Sequence, residues 1–445
     1  MASTDLASRV DDLVTWAAGQ LHGDEVLLAA FSGEQADYVR FNNGSVRQAG
    51  SVHQQALSLD LVQGARHART TLQLTGEADL DRTRVAEELR SLREQCAVLR
   101  EDPYLLYNSD GTSSVRIGRN ELPDPDVAMA EVARSARGRD LVGLYSAGTT
   151  YRGFASSLGQ RNWYETSTFA FDWSFYLHAD KATKNSYAGL SWSNEEFERK
   201  VQWSARQLEV LGRPALVRPP GAYRAYLAPA AMVELVDMLS WGGFGLKSHR
   251  TKQTPLLRMV TEGATLHPSV RIIEDTVGGV APNFGSEGFT KPDEVVLIDG
   301  GRYTDWLVSP RSAREYDVPT NGASSWESPE SLSVAAGTLP TDGVMEELGT
   351  GLYIGNLWYL NYSDRAACRT TGMTRFGTFW VEGGEIVAPV EVLRFDDSLL
   401  HLLGEKLVGL TDQPEVILDT ASYGSRSTGS YRLPGAVVQE MIFTL

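Results

Sequence analysis

Seven histidines, two cysteines and a few paired acids are the residues of this chain best equipped for chemistry, and their spacing limits how many can act together. The histidines are His22, His53, His67, His178, His249, His267 and His401, and no two are close enough for one helix to present both to a metal ion. Cys96 shares a helical repeat with Val85, Leu89 and Leu92, the place of a small core residue. Glu346 with Glu347, and Asp396 with Asp397, read as solvated faces rather than catalytic dyads. The chain has no G-x-S-x-G elbow, no P-loop and no G-x-G-x-x-G between a strand and a helix. "WGGFG", "VEGGE" and "DGGRYTDW" are turn signals. One stretch raises a sharper question: "AMVELVDMLSWGGFG", residues 231–245, reads as an amphipathic helix running into a Gly-rich turn, with Glu234 inside it.

The elements that must position these residues belong to a long, soluble type of chain. At 445 residues, two to three domains are expected, and 42% apolar with 22% charged residues is a globular composition. The formal charge of -16 disfavours nucleic acid or an anionic membrane as the main partner. Cys96 and Cys368 read as two reduced thiols of a cytoplasmic protein, with a single long-range disulfide as the alternative. The first residues, "MASTDLASRVDDLVTWAAGQLHG", lack the basic start of a signal peptide, and no apolar run reaches membrane-spanning length. The preference for Arg over Lys, with abundant Ala, Gly, Val and Asp, suits a high-GC bacterial source.

Leu6, Val10, Leu13 and Ala17 predict a first helix, with Asp5 or Ser8 as candidate caps. "DYVRF" and "SVRQAG" flank "NNG", and "QALSLDLV" and "HARTTLQL" flank "QGAR", which predicts a twisted antiparallel sheet of hairpins. Residues 101–123 are loop-like, giving expected units of 1–123, a central segment 124–212 and a larger C-terminal domain 213–445. In the central segment aromatic and polar residues alternate, as in a strand meander, before a helix capped by Ser193 and ended by Gly212.

Ordered segments of the chain resemble the TldD/PmbA family, whose PmbA branch is also called TldE. They are the hairpins "VRFNNGSVRQ" and "ALSLDLVQGARHARTTL", then "RPPGAYRAYLAPAAMVELVDMLSWGGFGLKSHRTKQTPLLRMVTEGATL". "IIEDTVGGVAPNFGSEGFTKPDEVVLIDGGRYTDWLVSPRSAREYDVPTNGAS" follows, then "GLYIGNLWYLNYSDRAACRTTGMTRFGTFWVEGGEIVAPVEVLRFDDSLLHLL". The resemblance implies a two-part α/β (α+β) architecture of hairpin sheets, helices and a larger mixed C-terminal domain. It also implies paired subunits that handle short peptides or peptide-like amides.

In the TldD branch a helix carries HExxxH and a downstream Cys completes a zinc site. Here "VELVDM" takes that place, with Val233 and Met238 where the histidines belong and only Glu234 retained. The region of the downstream Cys falls at Tyr423-Gly424-Ser425. His249, just past the Gly turn, is crowded by Lys247, Arg250 and Lys252, which disfavours a cation there. The resemblance therefore implies a TldE-like subunit with no zinc of its own and no catalytic residue assigned, its zinc carried by a TldD-like partner. The competing expectation is a self-sufficient, divergent amide hydrolase or natural-product tailoring enzyme working as a homodimer. A peptide-binding protein that acts alone is a third. Candidate substrate contacts are Glu287 and Gly288, which match the family's E-G although Gly285 replaces its usual Asp. Arg311 is a further candidate for a carboxylate, as is Asn321 for peptide groups. Trp358 and Tyr359 are candidates for an interface, a channel or the core.

Overall fold

The computed structural model describes residues 3–179 and 181–445. Period-2 alternation in the first half builds one long sheet. Its strands run in the order Arg66–Gln73, Ser45–Gln63, Val26–Asn42, Asp140–Ser156, Arg161–His178 and Ser114–Ile117, with Lys181–Gly189 also paired to Arg161–His178. The hairpin signals act as the sequence predicts. Asn43 and Gly44 take positive φ (50° and 67°) between the first two strands, and Gly64 (61°) turns the next hairpin.

Val26–Asn42 pairs directly with Asp140–Ser156, so residues 1–123 and 124–212 share this sheet rather than forming two. Such long-range pairing leaves no local mark in sequence. Odd-numbered side chains such as Leu27, Phe31, Phe41, Phe171 and Trp173 enter two clusters. The helices Ser3–Ala18 and Ala78–Val98 cover one of these clusters. Pro125–Ser135 and Asn194–Leu211 cover the other. Asp5 and Ser8 lie inside the first helix and do not cap it, whereas Ser193 Oγ accepts the Glu196 N–H as expected. Even-numbered residues, among them Glu34, Tyr38, Leu144, Asp172 and Ser174, face the other way and line a cavity.

The second half folds around two further sheets. One runs Arg302–Tyr303, Glu294–Asp299, Ile272–Asp275, Ser331–Val334, Ser430–Leu433, Glu415–Leu418. The other runs Gly351–Asp364, Gly221–Leu227, Ala436–Phe443, Arg394–Ser398, Arg369–Glu382, Glu385–Pro389, with Leu407–Leu410 on Ala436–Phe443. Pairing of Gly351–Asp364 with Arg369–Glu382 closes part of this sheet into a ring. The helix Pro229–Ser240 lies between sheet cores. Its Ala231, Met232, Leu235, Val236 and Leu239 are buried in the largest cluster of the molecule. Thus the mixed α+β architecture with antiparallel sheets is present. Asp397 departs from its reading as a solvated acid: it is 1% exposed and accepts the N–H groups of Ile442 and Ser398. Cys96 and Cys368 are free, buried thiols in separate clusters. Among the described residues no helix is long and apolar enough to cross a membrane.

Glu274, in the strand Ile272–Asp275, is buried and accepts the N–H groups of Glu330 and Ser331 at 3.0 Å. Burial nevertheless pushes its carboxyl up from 4.5 to about 7. The folded chain therefore keeps a proton that the unfolded chain has released, and stability falls as pH rises through this window. The Glu274→Gln variant has no such group. Urea unfolding is expected to show the variant gaining on the parent chain by roughly 3 kcal/mol as pH rises from about 4.5 to about 8. A pH-independent difference would contradict this.

Candidate functional site

The polar face of the first sheet and the free face of helix Pro229–Ser240 look at each other across a cleft. Two cavities of about 860 and 480 Å³ adjoin there, sharing Ala170, Asp172, Lys184 and Leu418–Thr420. Helical spacing decides what the helix contributes: Ala230, Val233, Glu234 and Asp237 line the smaller cavity, while Met238 is buried at 2% exposure. The Tyr431 hydroxyl donates to Asp237 Oδ1, and burial with the neighbouring acids raises this phenol above its usual range. The Glu234 side chain opens to the cleft, yet desolvation by the walls raises its pKa, and Asp237 adds to the rise while Lys184 opposes it. From the sheet, Lys184 Nζ lies 3.1 Å from Asp172, whose carboxyl is raised by burial and drawn back by this ammonium.

The far wall is the segment between Glu415–Leu418 and Ser430–Leu433, fastened to the sheet by Arg426. Its guanidinium is almost fully buried and donates to Gly148 O (3.0 Å), Thr168 O (3.1 Å) and Thr168 Oγ1 (2.7 Å). Its backbone N–H donates to the buried Glu34 Oε2 at 2.6 Å. Arg426→Ala would strand the Gly148 and Thr168 acceptors of the guanidinium. We expect a loss of about 2–3 kcal/mol in urea unfolding and new proteolytic cleavage between 419 and 429, with no change if the segment is held elsewhere.

The zinc pattern of the resemblance meets a donor set that does not suit it. Val233 offers no ligand, Met238 is turned into the core, and Tyr423 is fully exposed on the wall loop. What faces the cleft is carboxylate, phenol and ammonium, not imidazole and thiolate. Among the described residues no group of three His, Cys, Asp or Glu is placed to hold a metal ion. His249 is a packed residue: its Nε2 lies 2.8 Å from Gly243 O, its ring lies 4.6 Å from that of Tyr303, and burial lowers its pKa.

The four candidate contacts from sequence lie at or near the joint between the two halves, and none lines the cleft cavities. Asn108 N–H donates to Glu287 O at 2.8 Å, and Arg69 comes within 3.7 Å of the Glu287 carboxylate. Gly288 O accepts from the side chains of Asn108 and Gln160. Arg311 pairs with Asp102 and covers the Tyr104 ring. Asn321 accepts the Val308 N–H and donates to Trp306 O, closing a loop. The cleft residues Asp172, Lys184, Asp237, Asp419 and Tyr431 were not singled out from sequence. Asp237 had a readable signal, three residues after Glu234 and so on the same helix face. Gly288 holds φ +82°, and an added Cβ would sit 2.6 Å from the Phe154 ring. Gly288→Ala is therefore expected to cost about 3 kcal/mol in urea unfolding, against under ~1 kcal/mol for Glu287→Gln. Equal small effects would contradict the joint.

Residues 220–444 match the model of the PmbA/TldA metallopeptidase C-terminal domain. No curated protein matches the chain. Solved structures resemble it along nearly its whole length. TldE from Thermococcus kodakarensis superposes with a TM-score of 0.78 at 12% identity, covering 98% of this chain and 100% of that one. A protein from Thermotoga maritima described as a candidate modulator of a DNA gyrase gives 0.75 at 14% identity, covering 99% and 100%. A similarly described protein from Bacteroides thetaiotaomicron gives 0.73 at 16% identity, covering 98% of each chain. At such identities the likeness shows a shared fold. The family model, matched over more than half of the chain and including the cleft helix, shows that this protein belongs to the PmbA/TldD family.

Proposed function

We propose that this chain is a TldE-like subunit without a zinc site of its own, which pairs with a TldD-like zinc subunit to form a peptidase chamber. The observation that carries this reading is the cleft face of helix Pro229–Ser240, which presents Val233, Glu234 and Asp237 and no imidazole. The substrates we infer are short or unfolded peptides, or peptide-like amides. Two edge strands support this: Lys181–Gly189 and Glu415–Leu418 each end a sheet beside the cleft, where they approach one another. A free strand edge offers unpaired N–H and C=O groups to an extended chain, giving affinity with little regard for side chains. The exposed Trp358 and Tyr359, with ring centres 5.5 Å apart and planes tilted at 46° and Arg375 over Trp358, form a surface suited to the partner subunit. Two free thiols suit a reducing cytoplasm.

Elemental analysis and light scattering on the purified chain test the proposal. The expected result is no stoichiometric zinc and no amide hydrolysis alone, then a 1:1 complex with a TldD-like partner that cleaves an unfolded protein. One tightly held zinc per chain would overturn the reading. So would hydrolysis by the chain alone, which would favour a self-sufficient amide hydrolase.

A further inference from the structure

The cleft continues past the start of helix Pro229–Ser240 into a third chamber of about 430 Å³, connected to the acidic one through Lys184, Asn185, Ser186 and Ala230. Its chemistry is different. The helix Asn194–Leu211 supplies Trp203, Arg206 and Gln207, and strands supply Tyr226 and Tyr353. Both tyrosines are more than nine-tenths buried. The Tyr353 oxygen accepts N–H bonds from Trp203 Nε1 (3.2 Å) and Gln207 Nε2 (3.3 Å), so its own proton remains to be donated. Among the described residues the Tyr226 hydroxyl has no hydrogen-bond partner.

Arg206 lies 5.5 Å from the Trp203 ring, with no carboxylate within ion-pair distance among the described residues. Arg199 and Lys200 are already paired, with Glu196 at 2.7 Å and Glu415 at 2.5 Å. The walls carry Lys184, Arg199, Lys200 and Arg206 beside Asp342 and Glu415; with Lys184 held by Asp172, Arg199 by Glu196 and Lys200 by Glu415, Arg206 is the cation left to meet an anionic ligand. The cleft helix also begins here with no side-chain cap, so its positive end adds to the field. Uncommitted donors beside aromatic walls suit a ligand with an anionic end and an apolar body.

We propose that this chamber binds the C-terminal carboxylate of the peptide held in the cleft, with the terminal side chain lodged against Trp203, Tyr226 and Tyr353. This rests on the peptide-cleft reading above and gives the bound chain a direction. The carboxylate lies in the chamber of Arg206, away from Glu234, Asp237 and Asp419. The test is calorimetric titration of the full chain, alone and with its partner subunit, using a pentapeptide of four alanines and a final phenylalanine. The free acid is compared with the C-terminal amide.

The acid is expected to bind about tenfold more tightly than the amide. Arg206→Gln and Tyr353→Phe should each shrink that preference, with the affinity for the acid falling further than that for the amide. Equal binding of acid and amide by the parent chain would overturn the carboxylate chamber and leave the peptide cleft standing. A preference that survives both substitutions would overturn the assignment to this chamber. Binding of neither peptide in either state would overturn both readings.

Discussion

The burial of Arg426 is the constraint on which the cleft depends. A guanidinium out of water is costly unless its donors are met, and here main-chain and threonine oxygens of the first sheet meet them. Among the described residues no carboxylate takes the side chain; Glu34 instead accepts the backbone N–H of the same residue. One residue thus ties two carbonyls, a hydroxyl and a buried acid from the first half to a loop of the second. The seat is specific because leaving it strands every one of those groups. It fixes the loop between Glu415–Leu418 and Ser430–Leu433 against the polar sheet face, and so sets the width of the cavity that Lys184 and Asp237 share.

The helix across from this loop obeys a simpler rule. Residues five apart lie about 140° from each other around a helix. Val233 on the cleft face is therefore matched by Met238 in the core, not beside it. The residues that stay in the cleft are spaced by three and four: Ala230, Val233, Glu234 and Asp237. With apolar Val233 in the place of a ligand, Glu234 has carboxylate, phenol and ammonium neighbours, and desolvation with the Asp237 charge raises its pKa. The helix is thereby suited to lining a chamber and setting its charge.

How much of this could be read in the sequence follows from the range of each signal. Turns and caps were legible because they are local: Asn43-Gly44 demands positive φ, and Ser193 needs only the amide three residues on. The buried face of Val85, Leu89, Leu92 and Cys96 was legible by period. Asp5 misled because an acid also suits the first turn of a helix, and Ser8 because a serine is tolerated in the second. The joining of Val26–Asn42 to Asp140–Ser156 was hidden, since pairing over a hundred residues leaves both strands merely apolar and alternating. Glu287 and Gly288 were chosen for their match to the family's E-G, and Arg311 and Asn321 for what their side chains can bond. The fold engages them in bonds to Asn108, Gln160, Asp102 and neighbouring backbone instead.

Charge is the property that the fold organises most clearly over distance. The chain is strongly acidic overall, and the cleft runs from an acidic floor to a chamber whose Arg206 has no carboxylate at ion-pair distance among the described residues. Lys184 stands at the junction and lines all three cavities. Its pairing with Asp172 holds the ammonium against the first sheet, beside the edge strand where an extended chain would add. In the proposed reading, a peptide added to a strand edge at the cleft would meet main-chain partners that ignore its sequence. It would also meet a field that does not ignore its direction, because only one of its ends carries a carboxylate. In that proposed cleft, edge strands would supply the affinity and the unpaired Arg206 the orientation.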